Sequence, residues 1–97
     1  MESRKTTLCI PRVSKDTSIR EISKKLFDLE IGKVYKILEL PIRKEEEYKR
    51  IIIVIEFKGE RGKELKKLIE GGKSIKVIYK EPWYWKLVEY KKDHKIE

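Results

Sequence analysis

Asparagine, glutamine and alanine do not occur in this sequence of 97 residues, which holds one cysteine, one histidine, three prolines and five glycines. The lone Cys9 cannot close an internal disulfide, and it has no second cysteine for a zinc knuckle or a redox pair, so a reducing, intracellular compartment is expected. His94 is the only histidine and falls in a charged terminal stretch. No base is expected near Cys9, so no set of nucleophile, base and orienting group can be assembled, and an ordinary zinc site is excluded on the same ground. We expect no enzyme activity, no cofactor and no metal. Neither Gly59-Glu60-Arg61-Gly62-Lys63 nor Gly71-Gly72-Lys73-Ser74 has the spacing of a nucleotide-binding Walker loop, and the second reads as a helix-to-strand turn. No apolar run approaches the roughly 18–20 residues of a membrane span, and Met1-Glu2-Ser3-Arg4-Lys5 leads into no secretory hydrophobic segment. No membrane partner is expected, and the location follows as intracellular.

What is present is charge. Charged residues make up 43% of the chain and hydrophobic residues 39%, and the hydrophobic ones come in blocks, so a folded single domain with a small core is expected rather than disorder. Twenty-five Lys and Arg against 17 Asp and Glu give a net charge of +8, which favours polyanionic partners such as nucleic acid without specifying any. Abundant Lys, Glu and Ile beside missing Asn, Gln and Ala is a bias found in hyperthermophile proteins that genome composition or sequence redesign also produces, and it serves only as a hint of stability.

Residues Leu8-Cys9-Ile10-Pro11-Arg12-Val13 predict a first strand. Ser18 with Glu21 forms a capping box, after which Ile19, Ile22, Leu26 and Leu29 recur at helical spacing, with Phe27 beside the stripe and Gly32 suited to the C-terminal cap. Residues 34–40 predict a second strand ending at Pro41, and 43–47 a charged turn with Glu45, Glu46 and Glu47 in a row. In that strand Val34 and Ile37 both face the core only if a bulge changes the parity, which then places Glu39 awkwardly. Ile51-Ile52-Ile53-Val54-Ile55-Glu56-Phe57 is apolar at both parities over five positions, the pattern of a central strand. Residues 60–70 predict a second helix with Leu65, Leu68 and Ile69 on one face, stopped by Gly71-Gly72. Residues 74–80 alternate as a fourth strand that ends at Pro82 or bends there on a sheet edge. Residues 1–7 read as an N-terminal extension, 8–90 as the domain and 91–97 as a charged tail. The order β-α-β-β-α-β most simply builds an α+β, ferredoxin-like fold: a four-stranded antiparallel sheet with two helices on one face.

With that order of elements, the chain resembles an RNA recognition motif (RRM). The hexamer Leu8-Cys9-Ile10-Pro11-Arg12-Val13 fits the apolar frame of the family's first-strand motif, with Cys9 in its aromatic slot and Arg12 in its Asn slot. Arg50 opens the third-strand octamer, Ile52 and Val54 fill its two stacking slots, and Phe57 closes it. All three aromatic stacking positions are thus replaced. The junction running from Leu26 through Gly32 to Val34 also looks like the family's helix-to-strand passage. Cys9-Ile10-Pro11-Arg12-Val13 and Tyr79-Lys80-Glu81-Pro82-Trp83-Tyr84-Trp85-Lys86 are similar to segments of small RRM-like proteins of large nucleocytoplasmic DNA viruses, whose location would be host cytoplasm or nucleus. The resemblance implies strand order 4-1-3-2 and binding of single-stranded RNA. Acylphosphatases share the order of elements but depend on an Asn that this chain lacks.

By parity, Leu8, Ile10, Ile51, Ile53, Ile55 and Phe57 face the helices and leave Cys9, Ile52 and Val54, with Ile78, on the open sheet face. Aliphatic groups there offer no π-face to a base, so the patch suits a covering segment, a protein partner or a second copy. Trp83 and Trp85 share parity with Ile75 and Val77, which would make them core residues. Alternatively, Pro82 turns the chain and presents Trp83, Tyr84 and Trp85 as a substitute stacking surface between Lys80 and Lys86. Arg12, Arg50, Lys76 and Lys80 lie on or beside the open face and are the candidates for phosphate contact, while most other cations form a solvated surface. Two readings stay open: a module binding single-stranded RNA, and a protein-interaction or dimerisation module using the aliphatic face.

Overall fold

The computed structural model describes residues 5–90, which form an α+β domain of two helices and five antiparallel strands. The elements are β1 (Thr6–Ser14), α1 (Ile19–Asp28), β2 (Gly32–Pro41), β3 (Tyr48–Phe57), α2 (Gly59–Glu70), β4 (Ile75–Lys80) and β5 (Trp83–Glu89). They are arranged β2-β3-β1-β5-β4 across one sheet. The sheet has five strands where four were expected. The fourth strand does end before Pro82, at Lys80, but the chain then reverses at Glu81-Pro82, Lys80 pairs with Trp83, and β4 and β5 form a hairpin. β5 therefore takes the place beside β1 that the order 4-1-3-2 gave to the fourth strand, and β4 moves to the edge.

The N-terminal boundary also moves. Thr6 and Thr7 pair with Ile55 and Val54, so β1 begins inside what read as an extension. The tail 91–97, with His94, lies outside the described residues. The ladder between β1 and β5 is short, Leu8 opposite Glu89 and Cys9 opposite Val88. Pro11 has no N–H to continue it, and β1 bulges between Ile10 and Val13, so the two strands part and the hairpin arm runs on alone.

One face of the sheet carries the core. Leu8, Ile10, Ile51, Ile53, Ile55, Val77 and Leu87 pack with Ile22 and Leu26 of α1 and Ile69 of α2, all of them buried. The periodicities explain the placement: even positions of β1 before its bulge and odd positions of β3 share a face with the helix stripes. α1 starts as its sequence dictates, since Glu21 N–H donates to Ser18 Oγ at 3.1 Å and Ser18 N–H donates to the Glu21 carboxylate at 3.0 Å. Its end differs. Glu30, not Gly32, takes the left-handed conformation after the helix, with φ of 54°, because Ile31 must turn into the core, where it is fully buried. Phe27, one position beside the stripe, stays 79% exposed, and Leu68 of α2 is also exposed while Ile69 is buried.

β2 contains the bulge that its sequence required, between Val34 and Lys36 at Tyr35. Val34 and Ile37 thereby both pack against the core. Glu39 falls opposite Ile51 on the helix side, and the awkwardness is resolved at the exposed edge by Lys49, whose Nζ donates to Glu39 Oε2 at 2.8 Å.

α2 seats directly on the α1–β2 junction. Lys58 N–H donates to Ile31 O at 3.0 Å, and a Cβ at Gly62 would stand 2.6 Å from that same oxygen. An exposed helical glycine normally gains up to about 1 kcal/mol on replacement by alanine. Here the collision with fixed backbone reverses the sign, and Gly62→Ala should lose about 1–3 kcal/mol in urea unfolding. A neutral or stabilising result would show that the helix sits further from Ile31.

Candidate nucleic-acid interface

The face of the sheet opposite the helices is where the sequence placed its candidate binding residues, and strand register decides which of them meet there. Directly opposed residues of an antiparallel pair share a face. Leu38 opposes Ile52, Ile52 opposes Cys9, and Cys9 opposes Val88, so an aliphatic row crosses four strands. Cys9 and Ile52 at its centre are each only 6% exposed, whereas Leu38 at the β2 edge is 43% exposed. Val54, opposite Thr7 and Lys36, is half-buried beside this row. Burial pushes the Cys9 thiol above its ordinary range, and the charge of Arg50 opposes that shift only in part. Cys9 is therefore a packed, protonated side chain at neutral pH.

Around the row stand three exposed tyrosines, and each ring already carries a cation. Arg12 lies over Tyr48 with its guanidinium carbon 4.4 Å from the ring centroid. Lys76 Nζ lies 4.9 Å from the centroid of Tyr84. Lys5 and Lys33 lie over Tyr35 at 4.5 and 5.0 Å. All three rings belong to the open face. Tyr84 opposes Ile78 and has the parity of Lys86 and Val88, and Tyr48 opposes Ser14 just past the β1 bulge. Tyr35, at the β2 bulge, donates its O–H to Glu56 Oε1 at 2.9 Å, a bond that pushes its pKa up, with burial and the carboxylate charge adding to the shift. Tyr48 opens β3 and Glu56 lies eight residues along it, so Tyr48 and Tyr35 stand about 25 Å apart at a strand rise of ~3.3 Å per residue.

The element Trp83-Tyr84-Trp85 does not form one stacking surface. Strand alternation sends its members to opposite faces, as the burial pattern of β5 records. Trp85 is 5% exposed, belongs to the core, and stacks on Tyr79 with centroids 4.8 Å apart and planes 20° from parallel. Trp83 shares its parity but sits at the hairpin tip beside Lys80 and is 62% exposed. Only Tyr84 joins the open face. Of the predicted cations, Arg12, Arg50, Lys76 and Lys86 are on that face, while Lys80 pairs with Trp83 at the tip. Ile78, 52% exposed, lies beside Tyr84.

No family model, curated protein or solved structure matches the chain. The reading of the site therefore rests on its own geometry.

Sequence reasoning missed Tyr35 and Tyr48. The signal for Tyr48 was its position at the start of the apolar interior strand, with the parity of Arg50 and Ile52. Tyr35 carried no such signal, because its face depends on a bulge that the alternation of β2 suggested without locating. No helix among the described residues is long and apolar enough to cross a membrane.

Proposed function

We infer that this chain is a non-enzymatic module that binds single-stranded RNA across its open sheet face. Its frame is a ferredoxin-like, RRM-type one in which the β4–β5 hairpin stands for the fourth strand. The observation that carries the reading is the trio Tyr35, Tyr48 and Tyr84, three exposed rings on one face, each paired with a cation. A ring with a single cation over it, as at Tyr48 and Tyr84, keeps its other side for a base, and the cation is then within reach of the adjoining phosphate. The aromatic positions that RRMs use on their central strands are aliphatic here, and the rings stand instead around the rim. Arg50, Lys36 and Lys86 add sequence-independent charge between them. Stacking needs unpaired bases, so single strands are favoured over duplexes.

The test is the anisotropy of a labelled single-stranded RNA of random sequence, titrated at low and at physiological salt, with a duplex of the same length alongside. Micromolar binding that weakens with salt yet persists at physiological strength, and that exceeds duplex binding, is the expected result. Binding that vanishes with salt, or that favours the duplex, would reduce the +8 charge to a nonspecific attraction.

A second reading has its own observation. Leu38, Leu40 and Ile78 are exposed on the same face as the buried Cys9–Ile52 pair, an arrangement that suits a protein partner or a second copy of the chain. It predicts a concentration-dependent dimer in light scattering. Val54→Lys should then abolish the dimer with little change in melting temperature, and a wild type that stays monomeric and captures no protein counts against this reading.

A further inference from the structure

The turn between β2 and β3 carries three acids in a row, but only the first of them engages a cation of the open face. Glu45 is fixed by two backbone bonds, its N–H donating to Ile42 O at 3.2 Å and its carbonyl accepting from Tyr48 N–H at 3.1 Å. Its carboxylate Oε2 accepts from Arg12 Nη2 at 3.1 Å while the same guanidinium lies over Tyr48. Beside this pair, Ile42, Arg43, Lys44, Glu45 and Arg50 line a hollow of about 510 Å³. Three of the lining side chains are cations and Glu45 is the one acid. Glu46 and Glu47 line an adjacent hollow with Tyr48 that shares Arg43, Lys44 and Glu45 with the first, and Glu47 with Asp16 and Lys15 a third, but neither lines the hollow that holds Arg50, and neither carboxylate bonds to Arg12.

We propose that this hollow is a phosphate subsite at the end of the open face, and that Glu45 is its internal competitor, holding Arg12 where a phosphate would otherwise hold it. A guanidinium grips a carboxylate and a phosphate with the same planar fork, so one can replace the other without moving Arg12 off Tyr48. The exchange is easy because the pair is open to water, with 56% of the Arg12 side chain and 41% of the Glu45 side chain exposed, and exposed pairs contribute little. Loss of the Glu45 charge raises the lining from two net positive charges to three and frees Arg12 as well. The subsite rests on the RNA reading only for the owner of the phosphate, which is a bound strand or a free phosphate.

The deciding variants are Glu45→Gln, Glu46→Gln and Glu47→Gln, which change net charge equally but differ in what the carboxylate touches. With a labelled single-stranded oligouridylate at physiological salt, Glu45→Gln should bind about three- to tenfold tighter than wild type, and the other two should stay within about twofold. Glu45→Asp, which keeps the competing charge, should bind like wild type, and thermal melts check that every variant is folded. Equal tightening in all three amides, or none in Glu45→Gln, overturns the proposal. A second measurement needs no variant: inorganic phosphate titrated into the wild type should shift the amide signals of residues 12, 42–45 and 50, and the absence of those shifts also overturns it. RNA binding that depends on Tyr84 but ignores Glu45 defeats the subsite and leaves the RNA reading standing. Phosphate shifts without any RNA binding do the reverse and identify a site for free phosphate.

Discussion

Replacing Trp85 by alanine should cost about 3–5 kcal/mol, the range for truncating a large aromatic side chain in a core. Trp85 is 5% exposed, opposes Val77 across the hairpin, and supports the ring of Tyr79 by stacking. Its removal leaves a void in the core on the helix side of the hairpin and strips Tyr79 of its partner. The loss is comparable with the whole stability of a small domain, about 5–15 kcal/mol, so the melting temperature should fall by about 15–30 °C and a fraction of the chains should be unfolded at room temperature. Trp83→Ala, two residues away, should change stability by less than about 0.5 kcal/mol, because its side chain is 62% exposed at the hairpin tip. The pair of variants is measured by urea unfolding followed through far-ultraviolet circular dichroism. Equal losses would mean that Trp83 is also packed, and a negligible loss in Trp85→Ala would mean that the hairpin does not close onto the core.

That contrast also marks where the sequence stops being informative. Side-chain alternation places Trp83, Trp85 and Leu87 on one face whether the strand continues or turns back, so the core role of Trp85 follows from parity. What parity does not contain is the path at Pro82. A proline at that point can end a strand, bend it on an edge or allow a reversal, and the outcome depends on whether β1 has an edge free to receive β5. It has one only from Leu8 to Cys9, because Pro11 and the following bulge close the rest. The fifth strand is thus a tertiary result of a break in a strand more than seventy residues earlier.

Local signals fared differently. The capping box of Ser18 and Glu21, the two-sided apolar run of β3 and the split of Leu8 and Ile10 from Cys9 are each contained within a few residues and appear in the structure as read. Glu39 was legible as a difficulty but not as a solution, since its partner Lys49 is brought alongside by the β2–β3 register. The site shows the same division. The cations Arg50, Lys76 and Lys86 could be assigned to the open face by strand parity, as could Tyr48, which has the parity of Arg50 and Ile52, whereas Arg12 and Tyr35 reach it through the bulges after Ile10 and at Tyr35.

Tyr84 is the ring on which the RNA reading is most exposed to failure. It stands on the free hairpin arm, 46% exposed, with Lys76 against it and Lys86 two residues along the same face. If a base stacks there, Tyr84→Ala should weaken binding of single-stranded RNA by about 1–3 kcal/mol, or about 5- to 150-fold in Kd. Tyr84→Phe should recover most of that loss, because the π-face and not the hydroxyl is what a base meets. The slope of log Kd against log salt should be unchanged in Tyr84→Ala, since no charge is removed, whereas Lys86→Ala should lower the slope by about 1 and weaken all sequences alike. Trp83→Ala should leave both quantities unaltered, because Trp83 is turned away from the face on which Tyr84 stands. Anisotropy titrations at four or so salt concentrations separate these outcomes. A folded Tyr84→Ala variant that binds as tightly as wild type would remove the arm from the interface, and a full loss in Trp83→Ala with none in Tyr84→Ala would place the strand on the helix side of the hairpin instead.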